Sequence, residues 1–146
     1  MLNLFLRLTL SAYGVTLFSV PIMTLVDLPG ASPRTLVAGF LDRTVFMAVV
    51  AAPYALAGAG MALLLYWVGA RWWQQRIGRL LFVLICAGIG AAQLKVTFDG
   101  LVVMGAVAAG TAAWVATWPH ARLLQRCGLV VVAGLGSGVL QALVPL

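Results

Sequence analysis

The chain has 146 residues, 64% of them hydrophobic and 8% charged, with a mean hydropathy of +1.11. Soluble domains carry roughly a quarter charged residues, so this composition excludes a soluble enzyme. The formal charge of +6 lies between apolar runs, where basic residues act as topology signals and anionic-lipid contacts; no soluble basic face is left for nucleic acid.

These bounds predict an all-α, polytopic integral membrane protein, a single domain over residues 1–146 with a bundle of about five transmembrane helices. Apolar runs of roughly 18 residues or more set the spans, here 4–26, 44–69, 80–98, 101–118 and 127–146. The first run, with Arg7 near its start, is too long for the core of a secretory signal and lacks an Ala-x-Ala-like site after it, so a retained signal-anchor helix is expected. Thr9, Tyr13 and Thr16 recur at helical spacing and put three hydroxyls on one face. That face reads as a helix contact or as a substrate path. Pro21 predicts a kink near the far end.

Asp27 to Arg43 reads as the longest connection, because Leu28-Pro29-Gly30-Ala31-Ser32-Pro33 is turn chemistry. A helix from Leu36 to Gly69 would be ~51 Å long, well over a ~30 Å hydrocarbon core. A short interfacial helix ending near Asp42-Arg43 is therefore expected, followed by a separate span. Within that span Pro53 frees a backbone carbonyl, Gly58 and Ala62 form a small-residue face, and Tyr66 and Trp67 mark the interface.

Arg71 to Arg79 is the densest polar run. Arg71, Trp72, Trp73, Arg76 and Arg79 suit an interfacial anchor, or contact with a lipid phosphate or an acidic partner. Residues 80–118 are too long for one span, and Lys95, Asp99 and Gly100 supply the break. Trp114 and Trp118 mark the far interface, and Pro119 to Arg126 connects to the last span. Cys86 and Cys127 form no metal-ligand spacing and read as small buried side chains; no cofactor or metal is expected.

Sorting basic residues by connection puts Arg7, Arg71, Arg76, Arg79, Arg122 and Arg126 on one side and all three acids on the other. The positive-inside rule then predicts a multi-pass protein of a plasma (bacterial-type inner) membrane, N-terminus cytoplasmic and C-terminus outside. Trp67-x-x-Ala70-Arg71-x-x-Gln74 is echoed by Trp118-x-x-Ala121-Arg122-x-x-Gln125. The echo suggests a lone first helix followed by two parallel hairpins, or two turns with the same interface chemistry.

Two constellations could carry function. Lys95 and Asp99 are four apart and can pair, with Gln93 beside them and Gly88 and Ala92 forming a groove toward them. Such a polar group is a functional candidate in a span, or a snorkelling lysine and a hydrated aspartate at its end. Gly134, Ser137, Gly138 and Gln141 form a small-residue helix–helix interface with hydroxyl and amide bonding across it. An intramembrane serine protease needs a base near Ser137, and the sole histidine, His120, falls at the opposite face.

The sequence points first to a small non-catalytic integral membrane subunit, assembling with itself or with a larger transport, secretion or respiratory complex. The alternative is a small homo-oligomeric transporter or channel using Gln93, Lys95 and Asp99. A third reading is a membrane enzyme acting on lipid phosphates. Expected partners are anionic lipid headgroups and other membrane subunits or copies, with no nucleic acid.

Overall fold

Ser32 and Pro33 decide where the longest helix begins. Ser32 has extended backbone and its Oγ accepts from the Thr35 amide, with Pro33 at the first helical position, where its missing N–H costs nothing. A computed structural model describes residues 1–97, 101–118 and 120–143. It gives five helices: α1 (Leu2–Asp27), α2 (Pro33–Val68), α3 (Arg76–Thr97), α4 (Val102–Thr117) and α5 (Leu123–Leu143). There is no strand among the described residues. Four of the helices are long and apolar enough to cross a membrane, and α4, apolar but 16 residues long, falls short of that length.

The expected break near Asp42-Arg43 does not occur. α2 runs unbroken for 36 residues, ~54 Å at 1.5 Å per residue. The connection before it is only the turn 28–32, with Gly30 at φ 75°, a left-handed conformation that favours glycine. Nothing in Leu41-Asp42-Arg43-Thr44 breaks a helix, so the helix continues. A side-chain tie joins this long helix to the end of α1. Arg43 Nη1 lies 2.6 Å from Asp27 Oδ2 and donates to the Met23 carbonyl at 3.1 Å. The part of α2 beyond this tie matches α1 in length, and the start of α2 still packs on the end of α1, with Gly39 against the Leu28 and Thr24 side chains.

α3 and α5 likewise start about one turn earlier than expected, at Arg76 and Leu123. Arg76, Arg79 and Arg126 thus belong to helices and not to connections.

α1 and α4 form the middle of the bundle. α1 packs on α2, α4 and α5, and α4 packs on α1, α3 and α5, whereas α2 touches α3 and α4 only sparsely. The α1–α5 contact uses Gly134 and Gly138. A Cβ on Gly138 would lie 2.8 Å from Ile22 Cβ and 2.9 Å from the Ser19 carbonyl oxygen, so small residues permit the close backbone approach. Tyr13 ties α1 to α2 by donating to the Ala48 carbonyl at 3.0 Å, next to the Val49 carbonyl that Pro53 deprives of its helical donor.

Candidate functional site

Ala51, Ala55, Ala59 and Ala62 are spaced along one stripe of α2 and are buried. They face α3 and α4 across a gap, because α2 leans on α1 instead. The gap is a chamber of about 80 Å³ lined by α1, α2, α3 and α4. Toward the Asp27 end it is lined by Met47 and Met104, which pack with Val20, Leu94 and Leu101. At the other end its lining includes Leu8, Ala62 and Ala112, which belong to a buried cluster with Trp73 and Phe82.

This second cluster is ordered by aromatic geometry. Trp73 Nε1 donates to the Leu65 carbonyl at 2.9 Å, and its ring lies 5.5 Å from Phe82. Tyr66 meets Phe82 edge-on at 5.9 Å. Such contacts add roughly 0.5–1.5 kcal/mol beyond area burial.

The chamber wall is neutral. Its polar members are Thr16, Tyr54, Cys86 and Gln93, and the Thr16 hydroxyl is turned back to the Ala12 carbonyl at 3.1 Å. Gln93 Nε2 reaches from α3 to Met61 Sδ on α2 at 3.4 Å, across the seam between the two helices. An uncharged, hydrocarbon-lined space suits an apolar chain with one polar group near Tyr54 or Gln93. A dry apolar cavity of roughly 150 Å³ accepts a benzene. About half that volume accommodates a short run of methylenes.

No known protein family, curated protein or solved structure matches this chain. The functional reading therefore rests on the chamber and on the two ends of the bundle.

The structure separates the residues that the sequence placed together. Gln93 lines the chamber, but Lys95 is exposed. The groove expected toward Lys95 is an outer surface: Gly88 and Ala92 are exposed, and a Cβ on Gly88 would meet nothing within 4 Å. The buried face of α3 is instead Phe82, Cys86 and Gly90. Asp99, and with it the expected Lys95–Asp99 pair, lies outside the described residues. Of the hydroxyl stripe, Thr9 donates to the Phe5 carbonyl and Thr16 to that of Ala12, both within α1.

Gly134, Ser137 and Gly138 are buried, and the two glycines lie against α1 of the same chain. Ser137 Oγ does not bond across; it donates to the Gly134 carbonyl at 2.8 Å within α5. Gln141 sits at the Asp27 end, beside Met23 and Asp27. Cys86 is buried as expected, but Cys127 is exposed.

The basic stretch also divides. Trp73 turns inward into the buried cluster with Phe82, while Arg71, Trp72 and Arg76 are exposed. Arg79 stacks over Trp114 at 4.1 Å. Sequence reasoning flagged Gly58 and Ala62 but missed the alanine stripe and Tyr54, although the four-residue spacing from Ala51 to Ala59 was a legible signal.

Among the described residues no group of three or more His, Cys, Asp or Glu could hold a metal ion.

Proposed function

We propose that this chain is a non-catalytic integral membrane subunit that holds a hydrocarbon chain, as of a lipid or lipid-like molecule, in the chamber between α2 and the α3–α4 pair. The observation that carries this reading is the neutral chamber of about 80 Å³, lined almost wholly by apolar side chains and faced by a stripe of alanines. Sparse packing of α2 on α3 and α4 supports entry along the seam that Gln93 spans. Assembly with another membrane protein is part of the same proposal. Its surface would have to be other than the Gly134–Gly138 face, which α1 occupies.

The transporter reading gains less support. Lys95 lies away from the chamber, and the Thr9 and Thr16 hydroxyls bond within α1. A plasma-membrane location with the arginine-rich end in the cytoplasm remains part of the proposal, on the distribution of basic residues.

The test is binding of a fluorescent fatty-acyl probe to the full chain in detergent. Ala55→Phe fills the chamber and should lower affinity about tenfold, since displacing a few buried methylenes removes ~1–2 kcal/mol. Val49→Phe, on the outer face, should leave binding unchanged. Equal binding by both variants would show that the chamber does not hold the probe.

A further inference from the structure

We infer that Arg79, Trp114, Trp118 and Arg126 form a binding site for the phosphodiester headgroup of an anionic phospholipid. Three helices contribute. Arg79 lies in the first turn of α3, Trp114 at the end of α4 with Trp118 just after it, and Arg126 in the first turn of α5. Trp114 and Trp118 are four apart, with rings 6.4 Å from each other, and they join the two arginines into one patch. The Arg79 guanidinium sits 4.1 Å above the Trp114 ring. Arg126 Nη2 donates to the Trp118 carbonyl at 2.9 Å.

Both guanidinium groups are therefore held in place, and both are half-buried. Among the described residues neither meets a carboxylate: the ion pair found there joins Arg43 to Asp27 at the opposite end of the bundle. Arg126 Nε is buried and has no hydrogen-bond acceptor among the described residues. A held, partly desolvated cation without an acid is incomplete, because an unmade bond to a charged group is costly. A phosphate supplies what is lacking, since guanidinium binds it with two parallel bonds.

The flanking tryptophans place the patch at headgroup depth, where such rings concentrate. That favours a lipid over a soluble anion or an acidic protein segment. The surroundings also select the headgroup. Arg7, Arg71, Arg76 and Arg122 lie at the same end, and the acids Asp27 and Asp42 lie at the other. No described carboxylate is available for the ammonium of a zwitterionic lipid. The site is separate from the chamber, so the two proposals fail independently.

The test compares phosphatidylglycerol and phosphatidylcholine at the tightest lipid site of the full chain, by native mass spectrometry from mild detergent. Phosphatidylglycerol should bind more tightly, and Arg79→Gln or Arg126→Gln should each weaken it roughly five-fold, the effect of one basic residue near an anionic surface. Arg76→Gln, one turn earlier on α3 and exposed, should change it less than two-fold, roughly the scatter for an unanchored charge. Arg126→Lys keeps the charge and should retain the phosphatidylglycerol preference; Arg79→Gln carries the test where Arg126→Gln does not fold. Equal affinity for the two lipids would overturn the inference. So would equal effects of Arg76→Gln and Arg79→Gln. Displacement of the lipid by excess glycerol phosphate would assign the site to a soluble anion, and would overturn it too.

Discussion

Gly90 and Gly105 face each other across the α3–α4 contact, each with its missing side chain filled by the other's backbone. A Cβ on Gly90 would overlap the Gly105 carbonyl oxygen, and a Cβ on Gly105 would overlap that of Gly90. The reciprocity fixes how deeply the two helices interlock. It also sets the far wall of the chamber, since both glycines line it.

Gly90→Val and Gly105→Val should each destabilise the protein by about 2–3 kcal/mol, the upper range for overpacking a tight core. Gly88→Val, two residues away with open space around it, should be near neutral or stabilising through helix propensity. Thermal unfolding in detergent checks this. Equal loss at positions 88 and 90 would mean that the α3–α4 contact is not built on the glycine pair.

Trp73 offers a second measure of packing. It is 8% exposed against 48% for Trp72, it bonds the Leu65 carbonyl, and it packs in the buried cluster with Phe82. Trp73→Ala should cost about 3–5 kcal/mol, as for large aromatics truncated in cores. Trp72→Ala should cost well under half as much. Tryptophan emission should shift to the blue when Trp72 is removed and to the red when Trp73 is, because only the latter sits in an apolar environment.

What the sequence made legible is what hydropathy controls. Four of the helices are long apolar runs, and the segregation of Arg71–Arg79 and Arg122–Arg126 from Asp27 and Asp42 is visible by eye. Helix ends were less legible. Asp42-Arg43 looked like a boundary because charge leaves the membrane there, yet charge ends a membrane span without ending a helix. Only a residue that breaks the backbone pattern does that, and Pro33 is the nearest one. The facing partner of each residue was illegible for a different reason. Every surface of these helices is apolar, so periodicity does not separate the core face from the lipid face. Gly88 and Gly90 look alike in sequence, but only Gly90 lies against another backbone. Gly134 and Gly138 announced a contact, while the choice of α1 as neighbour emerged only from the packed bundle.

That choice changes what substitutions in α5 should do. Gly134→Leu and Gly138→Leu force α5 away from Phe18, Ile22 and the α1 backbone, so the loss should appear as lower thermal stability, by about 2 kcal/mol or more. The molecular mass of the detergent-solubilised particle should not change. Gly136→Leu, with nothing within 4 Å, should be silent in stability. A fall in mass with the Gly138 variant would instead assign that face to contact between chains.

Orientation in the membrane gives the last prediction. Ser32 lies in the turn after α1, and His120 is exposed just before α5. The two positions therefore lie at opposite ends of the bundle. Cysteines introduced there, in a chain with Cys86→Ala and Cys127→Ala, report the two sides of the membrane separately. With the arginine-rich end inside, as the positive-inside rule requires, a membrane-impermeant maleimide added to intact cells should label Ser32→Cys. His120→Cys should react only after permeabilisation. The opposite labelling pattern would invert the topology and leave the proposed headgroup site facing the outer leaflet. The chamber would be unaffected, because its wall carries no charge.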